Sequence, residues 1–307
     1  MNKELPLVSV VVITYNSAKT VLETLESIKN QTYRNIELIV SDDCSKDNTV
    51  EVCKKWLEHN CKFFINSKLV KSAKNTGVAP NLNRGIKQSK GEWIKSIAGD
   101  DTLVSNAIST YINFVNAKKC HFCCCDLNLF TTENKDISKS RNTYDFYFKC
   151  LYKTSKEKME QIINQYCFPG PAFFYSRTIY NEVEGFNEKY PMWEEFPFVY
   201  SILKKGYDIY PLNARLVNYR LSSTSISREK SRNLPNRKYF IDTRSVYYHY
   251  CLKHQIKQNK ILTAWDTIID FEIKNLKYKY INNNFLYNKL NLLYLFSPIF
   301  IKKLIFK

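Results

Sequence analysis

Two adjacent carboxylates, Asp100 and Asp101, follow a strand-like run and the flexible pair Ala98 and Gly99 in the segment GEWIKSIAGDD. Neighbouring carboxylates repel each other unless a cation lies between them. Divalent ions such as Mn2+ or Mg2+ take oxygen ligands and share them with phosphates, so this pair is a candidate metal site. The alternative is that Asp101 caps a helix beginning near Val104.

A second pair of acids, Glu194 and Glu195, opens the helical pattern EEFPFVYSILKKG, in which apolar residues recur on one face. Acids at this position could simply complement the helix dipole. Beside a metal site, these carboxylates could have another use. Trp193, just before them, is an aromatic residue that could stack on a ligand or belong to the core.

The elements that must position these acids alternate between strand and helix patterns. Leu7 to Thr14 and Ile36 to Ser41 are apolar runs typical of strands buried on both faces. Helical patterns follow both runs, and we interpret Lys62 to Asn66 as a third short strand before the strand at Trp93. The alternation predicts an α/β fold with a mostly parallel central sheet, in which ligands bind at the carboxyl ends of the strands.

Polar residues cluster where three of these predicted strands end, at Thr14, Asp43 and Asp101. Because the carboxyl ends of parallel strands share one edge of a sheet, we expect the three clusters to form one site. In the first cluster, Asn16 or Ser17 could also cap the helix that follows.

The sequence has neither a G-x-G-x-x-G motif after the first strand nor a GxxxxGK motif followed by Ser or Thr. An ordinary dinucleotide-binding fold and a P-loop enzyme are therefore not supported. If a nucleotide diphosphate binds, a cation must meet its charge, which favours the metal interpretation of Asp100 and Asp101.

The sequence contains several motifs in order, namely VSVVVITYNSAKTVLETLESIKNQTYRNIELIVSDDCSKDNT, NTGVAPNLNRGI, GEWI, AGDD and EGFNEKYPMWEEFPFVYSILKKGYDI. Together they resemble the motifs of the family 2 glycosyltransferases with the GT-A fold, of the bacterial surface-polysaccharide type. The resemblance implies an inverting, metal-dependent hexosyltransferase with a nucleotide-sugar donor, for which UDP is the expected nucleotide.

The same resemblance implies roles for the residues at the strand ends. The Asp43 carboxylate would accept a hydrogen bond from the base, and Asp101 would ligate the Mn2+ or Mg2+ that bridges the donor diphosphate. Asp100 would contact the ribose or the metal. The implied donor-binding residues are Thr14, Tyr15, Asn16, Asp43 and Asp100.

The family's Glu-Asp motif implies Glu195 as the general base, with Glu194 as a possible substitute and Trp193 at the acceptor. This chain departs from the family pattern at two positions. Ala98 stands where many relatives carry an acid, which leaves fewer protein oxygens for the ion. Glu195 replaces the usual aspartate and adds a methylene to the catalytic arm.

Four of the ten cysteines lie in the segment KKCHFCCCD. Cys120 and Cys123 beside His121 have a zinc-like spacing, but no second ligand pair follows at a finger-like distance. Adjacent cysteines in an apolar run are more typical of small buried residues in a strand. The first residues lack the pattern of a secretory signal, so we expect reduced thiols and a cytoplasmic location.

The formal net charge of +17 is concentrated towards the C-terminus. Residues 226–307 contain 16 Lys and Arg against 5 Asp and Glu, and no acid follows Glu272. The longest uncharged run in the final segment, Leu290 to Ile301, has 12 residues, which is short of the about 20 needed to span a bilayer. We therefore expect peripheral association with the inner face of the membrane; the alternative is packing on the catalytic domain or on a second copy.

The predicted domains are a GT-A catalytic domain over residues 1–225 and a basic helical extension over residues 226–307. Within the first, residues 1–105 would form the nucleotide-sugar half and residues 106–225 the acceptor half. The turn at Phe168 to Pro171 is expected to form the floor of the acceptor pocket. The polar region from Thr131 to Lys158 is interpreted as a mobile loop or an acceptor-specific insertion.

The expected acceptor is a growing surface glycan, on a lipid carrier, and a homodimer is possible. Two other classes compete with this hypothesis. A basic nucleic-acid-binding protein would explain the charge, but the acids at the strand ends would repel phosphates without metal, so no nucleic acid is expected. An inactive relative that only binds nucleotide or glycan would explain Ala98 and Glu195.

Overall fold

The structure, a computed structural model, describes residues 5–131, 149–166, 168–221, 234–282 and 284–298, together with Ile301. The chain divides into two compact units. One contains Met1–Ile162 and Tyr166–Ser222, and the other contains Ile163–Gln165 and Ser223–Lys307. The predicted domain boundary at residues 225 and 226 lies outside the described residues.

The first unit is built on one eight-stranded sheet with the order β3-β2-β1-β4-β7-β6-β8-β5. Strands β3, β2, β1 and β4 are parallel, β7 runs antiparallel to β4 and β6, β6 and β8 are parallel, and β5 is antiparallel to β8. The strands are β1 (Val8–Thr14), β2 (Ile36–Asp42), β3 (Asn66–Lys71), β4 (Trp93–Ala98), β5 (Thr102–Leu103), β6 (Phe122–Thr131), β7 (Phe173–Ser176) and β8 (Tyr210–Leu221).

Helices connect these strands, so the predicted α/β class with a mostly parallel sheet is confirmed. Short 3-10 segments at Cys61–Phe63 and Gly170–Ala172 add to them. The helices are α1 (Val21–Lys29), α2 (Thr49–Asn60), α3 (Val78–Lys87), α4 (Ala107–Lys118), α5 (Ser155–Asn164), α6 (Arg177–Glu182) and α7 (Glu195–Lys204).

The central strands form because their β-branched residues are buried on both faces of the sheet. Val8, Val10, Val11 and Val12 of β1 are fully buried, and β1 lies between β2 and β4 in register. Such continuous apolar runs are typical of parallel strands covered by helices on both sides.

The predicted third strand is present, but its bounds are wrong, because of Lys62 to Asn66 only Asn66 belongs to it. The apolar side chains of the predicted segment do not enter the core, since Phe63 and Ile65 are 44% and 64% exposed. The edge strand β3 begins only at Asn66, where its backbone pairs with β2. An edge strand depends on backbone pairing more than on apolar content. A prediction based on apolar residues therefore placed this strand too early in the chain.

An aromatic cluster fills the core beside β6 and β7. Phe122 contacts Phe173 edge-on with ring centroids 5.0 Å apart, and Phe186 contacts Phe198 at 4.3 Å. Phe198 belongs to α7, whose inward-facing residues are buried as predicted. This packing fixes the helix whose first residue is Glu195.

The clustered cysteines are core residues, as predicted. Cys123, Cys124 and Cys125 lie in β6 and are fully buried, and Cys120 is buried just before the strand. The nine cysteines that the structure describes are all free thiols. Burial raises the pKa of Cys120 to about 11, so this thiol stays protonated at neutral pH.

The polar region interpreted as a loop lies partly outside the described residues, which omit residues 132–148. The part that is described is not irregular, because α5 begins at Ser155 and includes Lys158. Thr154 starts this helix with a capping box: its hydroxyl accepts from the Glu157 amide at 3.3 Å, and its own amide donates to the Glu157 carboxylate at 2.8 Å.

The second unit is helical over its described residues. Its core joins Leu234, Phe240 and Tyr278, and Arg244 forms an ion pair with Glu272 at 2.5 Å. The elements are α8 (Arg237–Val246), a π turn (Tyr247–Cys251), α9 (Leu252–Lys257), α10 (Ile261–Lys279), α11 (Asn284–Lys289) and a 3-10 segment (Leu290–Phe296).

The final apolar segment packs on α10 of its own unit. Tyr294 donates to Asp270 at 2.8 Å, and Lys277 donates to Asn291 at 2.7 Å. Among the described residues, no helix combines the length and apolar character needed to cross a bilayer.

Candidate active site

The turns after β1, β2 and β4 meet at one edge of the sheet. Thr14 pairs with Asp42 in the β1–β2 register, and the Asp43 amide donates to the Thr14 carbonyl at 3.0 Å. On the other side of β1, the Gly99 amide donates to the Ile13 carbonyl at 2.9 Å. The structure therefore brings together the three strand ends that the sequence marks as polar.

Gly99 permits the closest of these approaches. A Cβ atom at this position would lie 2.9 Å from the Thr14 methyl carbon, which would have to move, and 3.2 Å from Ser17 Cβ, a tight contact. The glycine therefore lets the turn that carries Asp100 and Asp101 lie against the turn after β1 without displacing Thr14.

Asn16 joins the first two turns instead of capping α1. Its amide donates to Ser45 Oγ at 2.8 Å, and its side-chain oxygen accepts from the Lys46 amide at 2.7 Å. Asn16 reaches both partners with a φ of +54°, in the left-handed region that asparagine tolerates. The expectation that Asn16 or Ser17 caps α1 is wrong, because the residue at the N-cap is Thr20.

Asp42 is a site residue that our sequence reasoning did not assign. Its buried carboxylate accepts hydrogen bonds from the Thr14 hydroxyl at 2.8 Å and from the Ser45 hydroxyl at 2.5 Å. The Ser45 amide donates to it at 2.9 Å. Asp42 thus fixes Thr14 and the β2 turn, so its role is to shape the site.

The Asp43 carboxylate is buried and surrounded by donors from the segment before α3. It accepts from the Thr76 amide at 2.9 Å, the Thr76 hydroxyl at 2.6 Å and the Gly77 amide at 2.7 Å. Arg84 adds an ion pair at 3.4 Å. These contacts fix the Asp43 side chain at the strand edge. The neighbouring Tyr15 is 43% exposed and open to a ligand.

Asp101 is almost completely buried and does not cap a helix. The Arg220 amide donates to its Oδ1 atom at 2.8 Å, and α4 begins at Ala107 with Asn106 as its N-cap. Its Oδ2 atom has no hydrogen-bond partner among the described residues. Burial, and then the charge of Asp100, raise the pKa of Asp101 well above its usual value.

Arg220 contacts the turn after β4 that carries Asp100 and Asp101, which we call the acidic turn. Our sequence reasoning did not identify this residue. Its Nε atom donates to the Asp100 carbonyl at 2.8 Å, its Nη2 atom pairs with Glu23 at 2.5 Å, and its guanidinium lies 4.4 Å from the Phe130 ring centroid. Burial raises the pKa of Asp100, while the charge of Arg220 acts in the opposite direction. No local motif marks Arg220, because β8 brings it there from more than one hundred residues away.

The acidic turn fits a divalent cation in one respect and limits it in another. A buried carboxylate oxygen without a partner, next to a second carboxylate, is the environment that a cation would stabilise. Among the described residues, however, no group of three His, Cys, Asp or Glu side chains comes together. A bound ion would therefore need further ligands from a phosphate-bearing substrate and from water.

Glu195, at the start of α7, lies against the turn Pro169–Ala172. Gly170 approaches it so closely that a Cβ there would lie 3.0 Å from Glu195 Cγ and 3.1 Å from Oε1. Burial raises the pKa of Glu195 to about 7, although a hydrogen bond from the Gly170 amide acts in the opposite direction. A carboxyl group with this pKa can take up a proton near neutral pH.

Glu194 and Trp193 occupy neighbouring but different environments. Glu194 is buried at the N-cap of α7, and its carbonyl accepts from the Phe198 amide at 3.3 Å. Trp193 contacts the ring of Tyr166 at a centroid distance of 5.6 Å and that of Phe196 at 5.3 Å. Trp193 belongs to an aromatic cluster and is only partly buried.

Comparison with known proteins agrees with this architecture. Residues 9–184 match the model of the family described as "Glycosyl transferase family 2". This segment covers more than half of the chain and contains β1 to β4 with the three strand-end turns.

Bacterial glycosyltransferases are among the similar sequences. An uncharacterized glycosyltransferase of Rickettsia typhi is 29% identical over 216 residues, which cover 64% of this chain and 60% of that protein. The Escherichia coli protein WfaP, named UDP-Glc:alpha-D-GlcNAc-diphosphoundecaprenol beta-1,3-glucosyltransferase, is 29% identical over 231 residues, 74% of this chain and 82% of WfaP. The chain thus spans less than two thirds of the first relative.

Solved structures share the fold. S. aureus TarS residues 1-349, in complex with UDP-GlcNAc, has a TM-score of 0.57 and 20% identity, covering 78% of this chain and 65% of that one. A mannosyltransferase from Pyrobaculum calidifontis, in complex with GDP-Man and Mn2+, has a TM-score of 0.53 and 19% identity. The match covers 82% of this chain and 64% of the mannosyltransferase chain. The family match, the relatives and the GT-A-like sheet agree, and the chain belongs to glycosyl transferase family 2.

Proposed function

We propose that the protein is an inverting, metal-dependent hexosyltransferase that moves a sugar from a UDP-sugar to a hydroxyl of a growing, lipid-linked surface glycan. The observation that carries this proposal is the acidic turn at the sheet edge. There the buried Asp101 keeps one carboxylate oxygen without a partner in the described parts of the chain, beside the turns of Thr14 and Asp43.

In the proposed reaction the acceptor hydroxyl attacks the anomeric carbon of the donor sugar. A new C–O bond forms on one face while the bond to the diphosphate oxygen breaks on the other, which inverts the configuration. The hydroxyl proton passes to the Glu195 carboxylate, and the nucleoside diphosphate leaves. The raised pKa of Glu195, about 7, supports this assignment because the group can accept a proton near neutral pH.

On the donor side, Asp101 and Asp100 are the residues that would hold Mn2+ or Mg2+. When bound, the ion would stabilise the negative charge that develops on the departing diphosphate. Thr14, Tyr15 and Asn16 would line the nucleoside site from the first turn. Asp43 would contribute through its fixed carboxylate and through the turn that it holds with Thr76 and Gly77.

The choice of donor and acceptor is supported by the comparisons. TarS was solved with UDP-GlcNAc, and the name of WfaP specifies UDP-Glc and an acceptor on diphosphoundecaprenol. We propose a UDP-sugar and a lipid-linked glycan for this chain as well. Trp193 beside Glu195 would then contact the acceptor sugar.

The second unit supports peripheral binding to the cytoplasmic face of an anionic membrane. Among the described residues, twelve of the eighteen exposed large hydrophobic side chains belong to this unit, including Leu262, Trp265, Phe285 and Phe296. The same part of the chain carries an excess of lysine and no acid after Glu272. Apolar side chains combined with lysine favour an anionic lipid surface over a second copy of this equally basic chain.

The test is donor binding and hydrolysis with purified protein. A panel of UDP-, GDP- and TDP-sugars is screened by thermal shift with and without Mn2+, since a ligand of the folded state raises its apparent stability. We expect stabilisation by a UDP-sugar with Mn2+, slow hydrolysis of that donor, and loss of both in Asp101→Asn.

Other outcomes would contradict this proposal in recognisable ways. Salt-sensitive DNA binding without affinity for any nucleotide-sugar would indicate a nucleic-acid-binding protein. Nucleotide binding without turnover of any donor, with a lipid-linked acceptor present, would indicate an inactive relative.

A further inference from the structure

A buried lysine lies in the strand that delivers the acidic turn. Lys95, in the middle of β4, has no solvent-exposed surface. Burial lowers the pKa of Lys95 to about 8, although nearby groups including Cys125 and Asp101 act in the opposite direction. The side chain therefore still carries a charge at neutral pH, and a buried charge is costly unless it has a function or partners.

The ammonium group of Lys95 donates to two neutral carbonyl oxygens. It contacts Ser96 O at 2.7 Å and Pro171 O at 2.6 Å. Pro171 belongs to the turn Pro169–Ala172, which separates Lys95 from Glu195. The ammonium group of Lys95 thus contacts the Pro171 carbonyl of this turn, and the proposed base Glu195 lies against Gly170 of the same turn.

Two peptide groups of this turn connect the lysine to the glutamate. The Pro171 carbonyl, which accepts from Lys95, shares a peptide group with the Ala172 amide. That amide donates to the Pro169 carbonyl at 3.0 Å. The Pro169 carbonyl in turn shares a peptide group with the Gly170 amide, which donates to the Glu195 carboxylate.

We propose that Lys95 is a positioning residue for Glu195, acting through this chain of two hydrogen-bonded peptide groups. Each peptide dipole has its carbonyl towards the lysine and its N–H towards the glutamate. Hydrogen bonds in such a chain polarise one another, most strongly where water is excluded. The Gly170 amide consequently becomes a better donor, which opposes the effect of burial on the pKa of Glu195 and holds its carboxylate in a fixed position. This inference rests on Glu195 as the base of the proposed function.

The main test replaces Lys95 by methionine, which fills a similar volume without charge. We expect kcat for sugar transfer at saturating donor to fall by about tenfold to 10²-fold. Because the charge of Lys95 also acts on Asp101, the Kd for the UDP-sugar is measured separately, and only the fall in kcat is assigned to Glu195. The matched control is Lys158→Met. Lys158 is equally buried, but it donates to Asp208 at 2.6 Å and to the Ile209 carbonyl at 2.8 Å, so its removal should leave kcat unchanged.

A double-mutant cycle with Glu195→Gln separates positioning from general damage. If Lys95 acts through Glu195, then Lys95→Met has no further effect on kcat when Glu195 is already glutamine. Multiplied losses in the double variant would overturn the proposal. Equal losses of kcat in Lys95→Met and Lys158→Met would overturn it as well, because both would then reflect disturbed packing.

A second variant tests the peptide chain itself. Replacing Ala172 by lactic acid, incorporated by nonsense suppression, converts the Pro171–Ala172 amide into an ester. The amide hydrogen that donates to Pro169 is lost, and the Pro171 carbonyl becomes a weaker acceptor for Lys95, so both links of the chain are weakened while Lys95 keeps its charge. We expect kcat to fall in the same direction as in Lys95→Met, with unchanged donor binding, and an unaltered kcat would contradict the proposal. Failure of the proposed function would look different, since the unmodified protein would then transfer no sugar at all.

Discussion

At the scale of single residues, the two proposed functional carboxylates have different surroundings, since Asp101 is almost completely buried and Glu195 is partly buried. Asp101 is buried with one oxygen fixed by the Arg220 amide and the other left without a partner among the described residues. Glu195 has the Gly170 amide as a donor, and burial raises its pKa to about 7. The first arrangement suits a cation, and the second suits a proton.

Asp101→Asn tests the cation site. The amide keeps the size of the side chain and can still accept from the Arg220 amide, but it lacks the negative charge that a divalent ion needs. We expect the fold to be retained and the Mn2+-dependent part of UDP-sugar binding to be lost. Isothermal titration with and without Mn2+ measures this, and Mn2+-dependent binding equal to that of the unmodified protein would refute the assignment.

The activity of the unmodified protein should depend on pH through Glu195. A general base acts as the carboxylate, and the pKa of Glu195 is raised to about 7. We therefore expect kcat/KM for transfer to rise as the pH increases through about 7 and then to level off. The measurement is a profile of initial rates between about pH 5 and about pH 9.

Substitution of either acid identifies the base. Glu195→Gln should lower kcat by about 10²- to 10⁴-fold while donor binding survives, and Glu194→Gln serves as the adjacent control. If Glu194→Gln abolishes transfer and Glu195→Gln does not, the base assignment is reversed.

The same pKa predicts an effect on stability that needs no substrate. Glu195 binds its proton more tightly in the folded state than its ordinary pKa of 4.5 allows, so folding stability falls as the pH rises from 4.5 through about 7. Glu195→Gln removes this titration. Relative to the unmodified protein, we expect its melting temperature to be higher at pH 8, with the difference shrinking at acid pH.

At the scale of elements, the site depends on turns that approach one another closely. The turn after β4 needs Gly99 against Thr14, and the turn before β7 needs Gly170 against Glu195. Gly99 lies on the donor side of the proposed site, and Gly170 lies beside the proposed base. Each therefore offers a way to disturb one half of the chemistry alone.

Gly170→Ala should disturb the base without affecting the donor. The new methyl group would lie 3.0 Å from Glu195 Cγ, so the Glu195 side chain must move. We expect kcat to fall by up to about 10²-fold with unchanged donor KM.

Gly99→Ala is the counterpart, and it should weaken UDP-sugar binding because its Cβ would lie 2.9 Å from the Thr14 methyl carbon. Steady-state kinetics on both variants check this division. A common effect of the two substitutions on donor binding would contradict it.

The elements also show what the sequence could and could not predict. The strands at Leu7 to Thr14 and Ile36 to Ser41 were predictable because burial on both faces imposes continuous apolar runs. The edge strand β3 was misplaced because backbone pairing alone stabilises it. Arg220 was missed because only the register of β8 brings it to the acidic turn.

The contacts of the buried residue Lys95 could not be predicted from the sequence either. Lys95 stands in the motif GEWIKSIAGDD, yet its contact with Pro171 joins residues that are 76 positions apart. Strand ends and acidic pairs leave a local pattern in the sequence. Contacts made by the antiparallel strands and by the turn before β7 depend on the folded sheet, and single-sequence patterns do not reveal them.

At the scale of the whole molecule, the catalytic unit and the helical unit offer separate tests. Removal of residues from Phe285 onward deletes exposed apolar residues and lysines while leaving the described residues of the first unit intact. We expect weaker sedimentation with vesicles containing an anionic phospholipid and unchanged hydrolysis of a soluble donor.

Vesicles of neutral lipid alone are the control for this truncation. If the truncated and full chains sediment equally with anionic vesicles, the membrane proposal is wrong. If the truncation instead converts a dimer into a monomer in solution, the tail packs on a second copy.

Arg220 also limits how short a fragment with the proposed activity can be. The recognisable family segment stops at residue 184, but the amide that fixes Asp101 and the proposed base at Glu195 both come later in the chain. A fragment trimmed to residues 9–184 would lack the proposed proton acceptor and one anchor of the acidic turn. We therefore expect the proposed activity to require a fragment that extends at least through the end of β8 at Leu221.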